Sequence, residues 1–228
     1  MNTVLLDDLS DQGEASWWAR ALRGIGKPGP RTSSALTTLR DDTGAERVAA
    51  RLGAILDDNW TLICGHCNGG GRLDHILVGP RGVLALASST LNGRMHCDGQ
   101  RWRRDKFDLY NSLVTRDVPI PADPASVMLR AAGRLEHALL DHTSIRHVAT
   151  GLVFTHPAAT LGHILHGRLD LVALLSDLKS AALLEAMSGH PDHRTIDGVV
   201  DVIRDEHARH MRYAAQKKGK RQPLFLEQ

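Results

Sequence analysis

Aromatic side chains make up only 4% of this 228-residue chain, so aliphatic and alanine side chains must supply most of any packed core. An excess of one charge is missing too. The 28 Lys and Arg against 26 Asp and Glu leave +2, which excludes a whole-molecule polycation and confines any polyanion surface to a local patch. No apolar run is long enough to span a bilayer. The N-terminal MNTVLLDDLSDQGE is acidic where a signal peptide would be basic. Three cysteines, an odd number in a chain of this length, fit reduced thiols rather than a disulfide framework. What is present, 42% hydrophobic and 24% charged residues, excludes wholesale disorder. These features predict a soluble cytoplasmic protein without membrane contact, built on a single core.

Periodicity then divides the chain. Residues 1–40 read as an N-terminal extension with a short helix near Gly13–Arg23, broken by GIGKPGPRTSS. Asp42–Leu56 reads as an amphipathic helix, with Val48, Leu52, Ile55 and Leu56 at helical spacing and Asp41, Asp42 or Thr43 as its cap. Trp60–His66, Leu73–Val78, Gly82–Ser88 and Arg94–Cys97 are short apolar or alternating runs parted by NGGGR, GPRG and TLNG, the pattern of a four-stranded meander. A helix is expected over Pro124–Leu140, strands over His147–Thr155 and Leu169–Leu174, and helices over Ser176–Met187 and Thr195–Ala215. The last residues, KKGKRQPLFLEQ, read as a loose basic tail. This order predicts an α/β (α+β) fold on a mixed sheet flanked by helices, with units at 1–40, 41–187 and 188–228.

The segments GAERVAARLGAILDDNWTLI, GGGRLDHILVGPRGVLAL and NGRMHCDGQRW, continued by GLVFTHP and LVALLSDL, carry a resemblance covering about Asp42 to Met187. Together they resemble the nuclease-related domain (NERD) family, a branch of the PD-(D/E)XK, restriction-endonuclease-like nucleases. The resemblance implies a restriction-endonuclease-like core and a phosphodiester-cleaving site that uses Mg²⁺ or Mn²⁺. Such an ion polarises the phosphate and lowers the pKa of the attacking water, and as a hard cation it takes oxygen ligands. The family pattern supplies a helix Glu, a strand Asp and Glu-x-Lys on the next strand; two-residue spacing puts that Glu and Lys on one strand face.

Carried over by position, the helix Glu is Glu46 and the strand Asp is Asp74, the two metal ligands if any exist. The expected Glu and Lys positions hold Ala87 and Ser89, and no acidic residue lies between Gly79 and Arg94 to replace them. The family's Gln after Asn-Pro is absent as well, since the segment here is Asp123–Val127. Ala87 cannot bind a cation, and Ser89 cannot offer an ammonium to a developing phosphorane charge. The site is therefore expected to be degenerate.

Other signals read more plainly. Cys64, Cys67, His75, His96 and Cys97 invite a zinc test, but there is no second C-x₂-C, and regular alternation would send Cys64 and Cys67 to opposite faces. Glu206, His207 and His210 do not spell H-E-x-x-H, so a solvated helix face is expected there. Gly69–Gly71 lacks G-K-[ST] and reads as a turn. Ser88 and Ser89 lack a G-x-S-x-G elbow.

Two basic clusters remain. Arg94, Arg101, Arg103, Arg104 and Lys106 are interleaved with Trp102 and Phe107, and Arg212, Lys217, Lys218, Lys220 and Arg221 form the second, toward the tail. Basic groups gain phosphate affinity by releasing counterions, and an indole can stack on an unpaired base. The bland alternatives are a solvated surface with Trp102 as a core anchor and a solubilising terminus. Three functional expectations follow: a degenerate nuclease fold that binds DNA, RNA or protein; a divergent active nuclease using Glu46 and Asp74; or an assembly protein, as a homo-oligomer.

Overall fold

The computed structural model describes residues 1–6, 44–108, 110, 112–187 and 193–219. The expected helix near Gly13–Arg23 and the proposed caps Asp41, Asp42 and Thr43 lie outside the described residues. In chain order the elements are β1 (Asn2–Leu5), α1 (Gly44–Ile55), β2 (Thr61–Asn68), β3 (Gly71–Gly79), β4 (Gly82–Ser89), β5 (Gly93–Asp98), β6 (Arg101–Phe107) and β7 (Leu113–Pro119). Then come α2 (Ser126–His142), β8 (Val148–Phe154), β9 (Ala159–Leu165), β10 (Leu171–Leu174), a 3₁₀ turn (Leu175–Asp177), α3 (Ser180–Ala186) and α4 (His193–Gly219).

The strands form two mixed sheets rather than one. The larger runs β1-β2-β3-β4-β8-β10 and the smaller β7-β6-β5-β9. In the larger sheet β2, β3 and β4 are antiparallel neighbours, while β1 joins β2, β8 joins β4 and β10 joins β8 in parallel. The expected meander holds for its first three strands. Its fourth, β5, leaves for the second sheet, pairing with β6 and β9.

Helices cover both faces of the larger sheet. Val48 and Leu52 of α1, both fully buried, pack on Leu77, Leu84, Leu86 and Val153, with Leu183 of α3 in the same core. Burying such a side chain contributes roughly 1.5–3 kcal/mol. The opposite face carries α2 and α4, through Met128, Leu135, Leu139, Val199 and Ile203 against Ile63, Ile76, Val83 and Ala85. Asp123 starts α2, taking the Ala125 N–H on its side chain and the Ser126 N–H on its carbonyl. Thr143 ends it by donating both N–H and hydroxyl to Leu139 O.

A third core lies between the sheets, where Met95, Cys97 and Trp102 meet Leu152 and Phe154 of β8. It fixes the small sheet against the β8 end of the large one.

Three readings are corrected here. Asn2–Leu5, assigned to the extension, is an edge strand paired in register with Thr61–Cys64. Its run is too short for alternation to announce it. Arg101–Phe107, read as a charged cluster, is a strand whose one buried side chain is Trp102, and Leu113–Pro119 is an exposed edge strand. The helix expected over Ser176–Met187 is shorter, preceded by the 3₁₀ turn.

Candidate functional site

The expected site lies where β3, β4, β8 and the first turn of α1 converge. Register places His75 opposite Leu86, and so Asp74 beside Ala87 at the next step along β4. The Asp74 carboxylate is nevertheless taken by Ser88. One oxygen, Oδ2, accepts the Ser88 backbone N–H at 3.0 Å and the Ser88 hydroxyl at 2.9 Å. Gly44, which opens α1, packs so closely here that a Cβ on it would lie 2.8 Å from Thr155 Oγ1 and 3.5 Å from Ser88 Cβ. Glycine is required there by space.

Neither position expected to hold the missing pair offers a metal ligand or an ammonium. Ala87 packs between the α2-side core and the inter-sheet core. Ser89 is buried; its hydroxyl accepts the Leu91 N–H, and its carbonyl accepts both the N–H and the hydroxyl of Thr155. Glu46 sits half-buried in the first turn of α1. Among the described residues no three His, Cys, Asp or Glu side chains gather so as to hold a metal ion. Glu46, Asp74, an alanine and a serine are a poor match for Mg²⁺, which demands near-octahedral oxygen coordination.

His75 has a structural place. Its ring is fully buried, with Nε2 2.9 Å from Ala45 O and Nδ1 3.5 Å from Cys64 Sγ. A carbonyl can only accept, so Nε2 carries the proton and Nδ1 faces the thiol as acceptor. Burial pushes the imidazole down to about 4, against the opposing pull of the Asp74 charge, so the ring is neutral at pH 7. It ties β2 and β3 to the start of α1.

Regular alternation fails at Gly65, whose φ is +75°. Cys64 joins the α1-side core, while His66, two residues on, meets Glu206 of α4 across the opposite face at 3.1 Å. The alternation argument that separated Cys64 from Cys67 therefore does not apply. His207, expected on a solvated face, is buried and accepts the Cys67 N–H at 3.0 Å.

The basic cluster lies on β5 and β6, and much of its charge is already engaged. Arg103 pairs with Asp117 at 3.4 Å, Arg104 donates to Asn92 Oδ1 at 2.9 Å, and the Arg94 guanidinium sits 5.5 Å above the Phe107 ring. Asp105 takes His96 at 3.2 Å and the Asp117 N–H; chiefly that backbone hydrogen bond lowers its carboxyl below the usual range. Arg101 and Lys106 are exposed. Trp102 is 2% exposed, between Phe154 and His166, and that burial removes it from any base-stacking surface. The core-anchor reading of Trp102 is the one that fits. In the tail Lys217 is exposed on α4, whereas the Lys218 side chain, Lys220 and Arg221 lie outside the described residues.

Sequence reasoning missed Ser88 as the partner of Asp74. It also passed over Arg130 and Arg134, because α2 was read only for its apolar stripe; their four-residue spacing on the other face was the available signal.

A family model described as a nuclease-related domain (NERD) matches residues 40–155, just over half of the 228-residue chain. The match ends after β8, short of the Met187 limit of the sequence resemblance. No curated protein and no solved structure gives a significant match.

Proposed function

The chain belongs to the nuclease-related domain (NERD) family, and on that premise we propose that it is a nuclease-fold module that binds nucleic acid without cutting it. One observation carries this reading. Asp74, the strand carboxylate of the family pattern, spends its Oδ2 on the backbone and hydroxyl of Ser88, beside an alanine and a serine that offer neither acid nor ammonium. A carboxylate so engaged holds β3 to the end of β4 and has no neighbouring lysine to support an attacking water. The fold would then act as a scaffold for a binding surface.

The test is incubation of the purified protein and its Asp74→Ala variant with labelled single- and double-stranded DNA and RNA in Mn²⁺ or Mg²⁺, with binding read in parallel without metal. Salt-sensitive binding and no cleavage by either protein is the expected result. Cleavage by the native protein alone would replace this reading with a divergent active nuclease using Glu46 and Asp74. Neither binding nor cleavage, with a stable oligomer, would favour an assembly role.

A further inference from the structure

A furrow runs along α2, between it and α4 and on to the Gly69–Gly70 turn, on the face of the large sheet opposite α1. It is made of three adjoining hollows of about 420, 400 and 450 Å³. Arg134 and His137 line the first two, and His142 and Arg209 line the first and third. Its walls carry guanidinium groups from both helices: Arg130 and Arg134 on α2, Arg209 and Arg212 on α4. All four are exposed, and among the described residues no carboxylate forms an ion pair with any of them. Among the described residues Arg209 and Arg212 bond only to carbonyls of their own helix, through Nε, to Asp205 O and Ala208 O. Tyr213, 64% exposed, stands at the rim of the first hollow.

Acidic groups are present as well, with Asp141 and Asp205 exposed and Glu206 half-buried. Asp141, Asp205 and Glu206 also line the furrow, and Glu206 is turned inward onto the buried His66. Past Glu206 the sequence holds no acid until Glu227, while Arg209, Arg212, Lys217 and Lys218 follow one another along the helix.

We infer that this furrow is the surface on which the protein binds single-stranded nucleic acid, an assignment that rests on the binding function proposed above. Unpaired guanidinium groups give up only water and counterions when they meet phosphates, whereas Arg103 on the small sheet must first leave Asp117. An exposed phenol ring beside arginines is the arrangement on which an unpaired base stacks; a duplex keeps its base faces inside. Because α4 lies against α2, the furrow is concave. It accepts a flexible strand and does not present a lone helix to a major groove.

The experiment measures fluorescence anisotropy of a labelled oligodeoxythymidine with the full chain. Its arms are wild type, Arg134→Glu with Arg209→Glu, Tyr213→Ala, and Arg101→Glu with Arg103→Glu on the small sheet. The furrow double variant is expected to lose at least tenfold in affinity. In the milder Arg134→Gln with Arg209→Gln pair, the slope of log K against log salt should become shallower by about 1.4, for two lost phosphate contacts. Tyr213→Ala should lose about fivefold or more, while the small-sheet pair stays near wild type. Thermal melts of each variant separate lost binding from lost folding. Unchanged affinity in the furrow variants would overturn the inference. Loss confined to the small-sheet pair would also overturn it, leaving the binding function intact. Duplex bound as tightly as single strand would overturn the single-strand assignment. A wild-type protein that binds no nucleic acid would refute the functional reading itself.

Discussion

Replacing Asp74 by alanine should cost about 2 kcal/mol of stability. The carboxylate accepts two bonds from Ser88, at 3.0 Å from the backbone N–H and 2.9 Å from the hydroxyl. Bonds to a charged group contribute roughly 1.5–3 kcal/mol each, and partial burial lets water replace part of that, which brings the pair to about 2 kcal/mol. Ser88→Ala removes only the hydroxyl bond, at about 1 kcal/mol, so a double-mutant cycle should return a coupling of about 1 kcal/mol. Urea unfolding in metal-free buffer is the assay. With a slope of about 2 kcal/mol per molar, the Asp74→Ala midpoint falls by about 1 M. A carboxylate kept for metal makes the opposite forecast. Without the ion it is a repulsive neighbour for Glu46, so its removal would be neutral or stabilising, and Mn²⁺ would raise the wild-type midpoint but not that of the variant. That outcome would refute the reading of Asp74 as a strand tie.

The remaining predictions concern buried titratable groups. His75 is pushed from 6.5 down to about 4, so the unfolded chain takes up its proton first. Stability from this group is complete above pH 6.5 and falls as pH drops toward 4, by up to about 3 kcal/mol. Urea midpoints at pH 7.5 and 4.5 should therefore separate more in wild type than in His75→Gln; equal separations would show that other groups set the acid limit. Burial, reinforced by Asp123 and Asp98, pushes the Cys97 thiol up to about 11, while Cys67 is half-buried. A thiol reagent at pH 8 should label one cysteine rapidly in the native protein. Cys67→Ser should abolish that phase, and its loss in Cys97→Ser instead would contradict the structure.

The sequence showed the large sheet best where its strands are apolar on both faces. Val83–Leu86 and Val148–Phe154 are covered by helices on one side and by helices or the small sheet on the other, and such strands read as near-continuous hydrophobic runs. The small sheet was hidden for the complementary reason. Along β6 only Trp102 is fully buried among Arg101, Arg103, Arg104 and Lys106, so composition spoke for a charged surface and the single indole was ambiguous. The position of Asp74 on β3 was legible from spacing. Its partner was not, because a serine that satisfies a carboxylate through its backbone N–H leaves no mark in residue type. The turn at Gly65, which sends His66 and Cys64 to opposite faces, was equally silent, since glycine there looked like any strand glycine.

An aspartate at this position is thus weak support for metal chemistry. With no lysine beside it, its charge needs an offsetting donor, and Ser88 supplies two without any cation. The same accounting applies to the arginines. On the small sheet Arg103 meets a carboxylate and Arg94 and Arg104 a ring and an amide, whereas among the described residues Arg130, Arg134, Arg209 and Arg212 on α2 and α4 pair with no carboxylate. Affinity for phosphate follows the charge left uncompensated, not the number of basic residues. By that criterion the binding face proposed for this chain lies across the sheet from the strand ends where the family pattern places catalysis.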